Sequence, residues 1–178
     1  MGLTGPTFFV GAETAPAGTC YHYTSVRNLG KILAYGSLRP HRTLPGDRYP
    51  LLWGSKNAVW EPAAGRPLPS GQPMGFDIQA KMDHGLTRIL VESHCFEHNW
   101  RTVQPLLDQR FVALARDPVR GRWIADNCHQ WLATRKTVHR QYWLGVQIWY
   151  APSWRDMPYS WEQYPWEGAD GSYVPYKW

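Results

Sequence analysis

A histidine lies where a short predicted strand passes into a predicted helix, in the stretch Tyr21-His22-Tyr23-Thr24-Ser25. A hydroxyl at Thr24 or Ser25 accepts hydrogen bonds from the free backbone N–H groups of the first helical turn. Those N–H groups and the helix dipole favour a phosphate or another anion. The pattern therefore predicts that His22 stands beside an anion-binding helix N-terminus.

The residues that follow predict a helix between two strands. Four apolar residues fall on one helical face, namely Val26, Leu29, Ile32 and Leu33. Gly36 stands where a helix C-terminus favours left-handed backbone. Residues 20–40 are therefore predicted as strand, helix and strand.

The segment YHYTSVRNLGKILAYGSLRP, residues 21–40, resembles the opening of the ADP-ribosyltransferase superfamily. It is most similar to the His-Tyr-Glu branch, in its small bacterial and phage toxin-type members. The resemblance implies an α+β fold, a split clamshell of two small, mostly antiparallel sheets with flanking helices, and NAD in the cleft. It also implies that His22 hydrogen-bonds the adenine-side ribose hydroxyls, with Tyr23 and Thr24 shaping the same wall.

The segment from Leu51 to Lys56 is predicted as a short buried strand that ends in a polar turn. Its Trp53-Gly54-Ser55 is similar to the second family motif, an aromatic strand that lines the nicotinamide pocket. The resemblance places Ser55 beside the nicotinamide ribose, with Trp53 or Trp60 as a wall. A core strand followed by a turn serine is the alternative interpretation.

Residues 41–50 contain two prolines and a glycine, which predicts a loop. Arg42 in this loop, like Arg48, carries a planar guanidinium that can hold a phosphate. We therefore count Arg42 among the candidate NAD-binding residues, with a solvated arginine as the alternative.

The run from Gly145 to Pro152 looks like the third family motif, in which a catalytic glutamate opens a strand that ends in a proline turn. This chain has Gln147 at that position, so the resemblance makes Gln147 and His22 the catalytic residues. Cleavage of the nicotinamide–ribose bond builds positive charge on the ribose, which a carboxylate stabilises. An amide keeps a hydrogen bond without the charge, so we expect NAD binding with slow transfer.

Three interpretations of Gln147 stay open. The glutamine is native and the chain binds NAD or a related nucleotide weakly or without turnover. Alternatively, it replaces an original glutamate and inactivates the enzyme. In the third case, the catalytic carboxylate lies elsewhere, at Glu92, Glu162 or Glu167.

Two functions from different classes follow. The first is NAD-dependent mono-ADP-ribosyl transfer to a macromolecular acceptor, nucleic acid or protein, as a toxin or phage-conflict factor whose partner would be an antitoxin. The second is a non-catalytic module that binds nucleotides or nucleic acid. The net charge of +5 and the eleven tryptophans suit that second function, because basic surfaces attract phosphates and aromatic rings stack on bases.

Other kinds of site are less well supported by the sequence. Cys95 and His98, with the adjacent Cys128 and His129, offer zinc ligands, but neighbouring residues cannot easily point at one tetrahedral centre. No local signature marks a cysteine nucleophile. No G-x-G-x-x-G follows a predicted strand, which argues against a dehydrogenase or a kinase. We therefore expect no metal.

The composition suits one domain with a core of ordinary size, and we expect an arm over residues 1–18 and a single domain over 19–178. Three cysteines do not form a disulfide framework, which indicates a reducing compartment. No apolar run approaches the roughly 20 residues of a membrane span. We expect a cytoplasmic protein without a membrane partner.

The remaining elements are predicted from periodicity and turn residues. Residues 63–85 form a long loop of the kind that often acts as a lid. Strands are expected at 88–92, 111–114 and within 137–150, and helices at 96–107 and 123–132.

Overall fold

The structure is a computed structural model that describes residues 15–61, 64, 85–150 and 153–157. Within these ranges the chain forms nine strands and four α-helices, with 3-10 turns between some of them. The strands are β1 Thr19–Ser25, β2 Ser37–Leu38, β3 Leu52–Ser55, β4 Leu86–Glu92, β5 His98–Asn99, β6 Trp131–Thr134, β7 Val138–His139, β8 Trp143–Tyr150 and β9 Ser153–Asp156. The helices are α1 Val26–Tyr35, α2 Trp100–Val103, α3 Gln109–Ala115 and α4 Arg122–Asn127.

Seven of these strands form one sheet in the order β5-β6-β3-β1-β4-β8-β9, and β2 pairs with β7 in a separate ribbon. The neighbouring strands are antiparallel throughout. The predicted α+β class is therefore confirmed. The described residues differ from the expectation of two small sheets, because β1 joins the two halves of the larger sheet.

Helix α1 begins and ends as the sequence predicts. The Ser25 hydroxyl accepts a hydrogen bond from the backbone N–H of Asn28 at 3.3 Å and caps the first turn. Gly36 takes the left-handed conformation with φ of 61°, and its N–H donates to the Leu33 carbonyl. Leu29 and Leu33 are buried against the sheet, so the strand–helix–strand prediction for residues 20–40 is confirmed.

The two faces of the sheet pack against different layers. One face carries Cys20, Ile89 and Val146 and packs against α1. The other face carries an aromatic cluster on its β1, β4 and β9 side, which includes Tyr23 and Trp154. On its β3 and β6 side, that second face packs against the short helices α2, α3 and α4 through these residues: Leu51, Trp53, Val103, Phe111, Val112, Ile124, Trp131 and Ala133.

The predicted strand at 111–114 is wrong, because these residues lie in α3. The Asp108 carboxylate accepts from the backbone N–H of Arg110 at 2.8 Å and caps the helix. Phe111 and Val112, with Leu114 one turn on, pack on one side of α3 against β6 and α4. The spacing of this short apolar run is therefore helical, although its length also suits a strand.

Two predicted helices are only partly confirmed. The helix at 96–107 reduces to α2 and a 3-10 turn at Gln104–Leu106, with β5 before them. The helix at 123–132 ends with a 3-10 turn at Cys128–Gln130, and Trp131 then begins β6. Residues 1–14 of the predicted arm and nearly all of the predicted loop at 63–85 lie outside the described residues.

No helix among the described residues combines the length and the apolar character that a membrane span requires.

Candidate functional site

Strands β1 and β3 pair at a single position, where Tyr21 lies opposite Ser55. On its other side β1 pairs with β4 along its whole length. Beyond Tyr21 the gap between β1 and β3 is crossed by a side chain, because His22 Nδ1 donates to the backbone carbonyl oxygen of Trp53 at 2.8 Å. The two strands therefore diverge beside His22.

His22 is held as a neutral imidazole. Burial lowers its pKa, the hydrogen bond to Trp53 acts in the opposite direction, and His41 nearby adds to the lowering. A carbonyl oxygen only accepts, so the proton lies on Nδ1 and Nε2 is the acceptor of the ring. This tautomer suits an interaction with a ligand hydroxyl.

A cavity of about 520 Å³ opens where the two strands diverge. Its walls come from β1, β3, the first turn of α1, the loop after His41, the segment after Ser55 and the helices packed on β6. Six of the eight predicted site residues line it: His22, Tyr23, Thr24, Trp53, Ser55 and Trp60.

A carboxylate that sequence reasoning missed also lines this cavity. Glu61 is 6% exposed, and its Oε2 accepts a hydrogen bond of 2.7 Å from the hydroxyl of Ser55, which is 1% exposed. The Ser55 oxygen in turn accepts from the backbone N–H of Asn57 at 3.0 Å. The sequence feature that could have indicated this residue is its position, six residues after Ser55 and between Trp60 and Pro62.

The segment that carries Glu61 is fixed from the sheet. The Tyr23 hydroxyl donates to the Asn57 carbonyl at 2.5 Å, and the Trp60 ring meets the Tyr23 ring edge-on at 5.3 Å. The Asn57 side-chain oxygen accepts from the backbone N–H groups of Val59 and Trp60. Tyr23 therefore contributes to the site by supporting this segment as well as by lining the cavity.

Gln147 lies away from the cavity, on the middle of β8. It faces Arg88 on β4 in the sheet register, and Arg88 faces Tyr23 on β1. Its Oε1 accepts from Arg88 Nε at 2.7 Å, and its Nε2 donates to Asp156 at 3.0 Å. The structure therefore brings Gln147 to a buried arginine, two strands from β1, and not to His22.

Arg42 and Glu92 are also separate from the cavity. Arg42 is exposed and does not line it, whereas the neighbouring His41 and Thr43 do. Glu92 pairs in register with Thr19 at the start of β1 and lies 3.1 Å from His94. The alternative carboxylates Glu162 and Glu167 lie outside the described residues.

Among the described residues, the cysteines and histidines form neither a zinc site nor an activated cysteine nucleophile. The part of the chain that the structure describes has no group of three or more His, Cys, Asp or Glu side chains placed to hold a metal ion. Burial raises the thiol pKa of Cys95 and Cys128, and it raises that of Cys20 to about 12. Reactive cysteines need a lowered pKa, so these thiols are not activated nucleophiles.

The charge and shape of the cavity favour an aromatic cation. Two buried carboxylates, Asp47 and Glu61, line it, and no lysine or arginine is among the described lining residues. Asp47 accepts from the backbone N–H groups of Leu44 and Asp108 at 2.8 and 3.0 Å. Five aromatic side chains other than tyrosine and histidine complete the wall: Trp53, Trp60, Phe111, Trp123 and Trp131.

No protein-family model, curated protein or solved structure matches this chain. The geometry of the cavity is therefore what a functional assignment has to explain.

Proposed function

We propose that the chain is an NAD-dependent mono-ADP-ribosyltransferase that modifies a macromolecular acceptor, with Glu61 as its catalytic carboxylate. The observation that carries the proposal is the buried Glu61, hydrogen-bonded to Ser55 in the cavity that His22 also lines. The resemblance at residues 21–40 supports the choice of NAD. The divergence of β1 from β3 suits a cleft between two halves of a clamshell.

The chemistry assigns a task to each group. When the nicotinamide–ribose bond breaks, its electron pair leaves with nicotinamide and positive charge develops on the ribose. The Glu61 carboxylate would stabilise that charge. A lone pair of the acceptor group X–H then forms the new bond to the ribose carbon, and its proton passes to Glu61 and on to water. His22 Nε2 would accept a hydrogen bond from a ribose hydroxyl.

The catalytic carboxylate is then Glu61, and position 147 is not part of the catalytic site. A preorganised group that opposes developing charge contributes roughly 100- to 1000-fold to the rate, provided that it touches the reacting atoms. Gln147 contacts Arg88 and Asp156 and does not line the cavity. A glutamine at 147 is therefore compatible with turnover.

The test is calorimetric titration of NAD together with a chromatographic assay of nicotinamide release. We expect Glu61→Gln to bind NAD within a few-fold of the unsubstituted chain and to release nicotinamide about 100-fold more slowly. We expect His22→Ala to weaken NAD binding. The matched control is Glu97→Gln, the same chemical change at an exposed carboxylate that pairs with Lys136, and it should leave release unchanged.

Gln147→Glu separates the two assignments of the carboxylate. If Glu61 is catalytic, Gln147→Glu neither raises release above that of the unsubstituted chain nor restores it in Glu61→Gln. A large gain from Gln147→Glu would instead restore the original assignment. NAD binding without release in any variant would favour the non-catalytic nucleotide-binding alternative, and absence of NAD binding would overturn the proposal.

A further inference from the structure

Arg88 is the largest fully buried side chain in the described structure, with 1% of its surface exposed. Burial lowers its pKa, and the nearby Tyr23 and Tyr21 act in the opposite direction. Taking a guanidinium out of water costs several kcal/mol unless its donors are satisfied. No carboxylate within the described residues pairs with Arg88 directly, so its other contacts must offset this cost.

Those contacts come from both sides of β4. Arg88 Nε donates to Gln147, whose amide nitrogen donates on to Asp156. The guanidinium carbon also lies 4.6 Å from the centre of the Tyr21 ring and 4.4 Å from that of Trp154. Aromatic faces attract a cation in such positions. Gln147 thus acts as a neutral relay between the buried cation and the carboxylate of Asp156 at the sheet edge.

A second donor of this arginine reaches the segment that precedes Glu61. Arg88 Nη1 donates to the backbone carbonyl of Ala58. The preceding carbonyl, that of Asn57, accepts a hydrogen bond from the Tyr23 hydroxyl. The following carbonyl, that of Val59, accepts one from Trp154 Nε1 at 3.1 Å. Three consecutive carbonyls are therefore bound by side chains from three different strands. Arg88 also interacts with the other two donors, because its guanidinium lies over the Trp154 ring and hydrogen-bonds the Tyr23 side chain.

We infer that Arg88 is a positioning residue, which fixes the segment 57–60 and thereby holds the Glu61 carboxylate in the cavity. The inference rests on the proposed function for its catalytic consequence and on the contacts above for its structural part. Arginine suits this position because its planar fork donates to Gln147 and Ala58 at once, whereas a lysine offers one ammonium group. Nothing in this arrangement requires Arg88 to touch the ligand.

The structural part is tested by amide hydrogen exchange over residues 57–61, which needs no activity. We expect exchange there to become about tenfold faster in Arg88→Lys, because losing one of the three carbonyl contacts eases local opening. Gln147→Leu, at a half-buried site, removes the acceptor that orients the guanidinium and should act in the same direction. Gln147→Glu loses the donor to Asp156, as Gln147→Leu does, but it keeps an acceptor for Arg88 Nε, so it is the matched control for that acceptor.

The catalytic part is tested by a double-substitution cycle on nicotinamide release. We expect Arg88→Lys to slow release about tenfold at saturating NAD with little change in NAD affinity. The same substitution should have little further effect in Glu61→Gln, because both changes act through one carboxylate. A general loss of structure would slow both backgrounds alike.

The outcomes separate the inference from the proposed function. Unchanged exchange at 57–61 in Arg88→Lys, or in Gln147→Leu if the lysine variant does not fold, overturns the inference. If exchange at 57–61 is faster in Arg88→Lys but the unsubstituted chain never releases nicotinamide, the positioning role of Arg88 is supported and the transferase proposal is refuted. Equal slowing of release with and without Glu61 refutes the link between Arg88 and the carboxylate.

Discussion

The hydroxyl of Ser55 donates to Oε2 of Glu61 at 2.7 Å, and both side chains are almost completely buried. A buried carboxylate is costly unless hydrogen-bond donors hold it. Ser55 can serve because β3 ends there, so its side chain meets the segment that turns back with Glu61. This pair explains how an acidic group is kept at a cavity wall that also carries Trp53 and Trp60.

Removing the Ser55 hydroxyl should reveal the strength of this pair. We expect Ser55→Ala to lower the free energy of unfolding by about 1–3 kcal/mol, because Glu61 loses a donor while it stays buried. Ser55→Ala should cost less unfolding free energy in the Glu61→Gln background, because the side chain that loses the Ser55 donor is then uncharged. Urea unfolding of the four chains measures the coupling. Ser55→Ala removes the Asn57 contact whether residue 61 is Glu or Gln, so that contribution cancels in the comparison. Equal losses of unfolding free energy with Glu61 and with Gln at position 61 would contradict a special role for the carboxylate.

If NAD is the ligand, as we propose, the charge of the cavity predicts a preference between its two redox forms. The nicotinamide ring is a cation in NAD and neutral in its reduced form. Aromatic walls and the carboxylates of Asp47 and Glu61 favour the cation, by an amount of about 1–2 kcal/mol for a desolvated contact. We therefore expect NAD to bind roughly tenfold more tightly than reduced NAD.

Calorimetric titration of both forms measures this preference. In Glu61→Gln the ratio should shrink toward one, since one of the two carboxylates is gone. Equal binding of the two forms by the unsubstituted chain would show that the ring does not lie among these residues.

His22 should make the stability of the fold depend on pH. Burial lowers the pKa of His22 below the unfolded value of roughly 6.5. The unfolded state therefore binds the proton more readily as the pH falls. The stability tied to neutral His22 is fully present above about pH 6.5 and is lost as the pH falls from there toward the lowered pKa.

The matched variant for this prediction is His22→Asn, which can keep a donor toward the Trp53 carbonyl but cannot titrate. Urea unfolding of both chains between pH 8 and pH 5 gives the difference between their unfolding free energies. The contributions of the other histidines are common to both chains and cancel in this difference. We expect the original chain to lose stability relative to His22→Asn as the pH falls. A pH-independent difference would contradict a lowered pKa for His22.

The sequence was informative where local chemistry decides the structure. Ser25 and Gly36 delimit α1 because a cap hydroxyl and a left-handed glycine act within one or two turns of the chain. The predicted strand that carries Trp53 and Ser55 is likewise confirmed as β3. The strand prediction for the apolar run at 111–114 is wrong. A short apolar run fits either a strand or one face of a helix, and packing against β6 decides between them.

The site was predictable only in part for a related reason. His22 and Ser55 were found through local patterns, and both line the cavity. The position of Gln147 depends on the pairing of β4 with β8, which places it opposite Arg88. Glu61 reaches the cavity through the contacts of residues 57–60 with side chains that follow or precede them by up to 95 positions. No local pattern reports such pairings.

Gly54 is required by the close packing of β3. An added Cβ would lie 2.3 Å from the Cys20 sulfur and 2.9 Å from the ring of Phe96. We expect Gly54→Ala to lower the free energy of unfolding by about 1–3 kcal/mol, as overpacked cores do. The control is Gly145→Ala on β8, where an added Cβ meets nothing within 4 Å.

A second substitution tests the cause of this loss. Cys20→Ala removes the sulfur that a Cβ at Gly54 would meet, so the double variant should lose less stability than the sum of the two single variants. Urea unfolding measures all three. Strict additivity would show that the crowding at Gly54 comes from elsewhere.

The single paired position between Tyr21 and Ser55 has a mechanical consequence. Full ladders hold β1 to β4 and β3 to β6, so the larger sheet is weakest along the line that runs under the cavity. Separating β1 from β3 breaks the hydrogen bond from His22 to the Trp53 carbonyl and the one paired position at Tyr21 and Ser55. The pairing of β1 with β4 and of β3 with β6 stays intact. Separation along this line would therefore cost few backbone hydrogen bonds, and the side chains packed across it, such as Cys20 against Gly54, would provide most of the resistance.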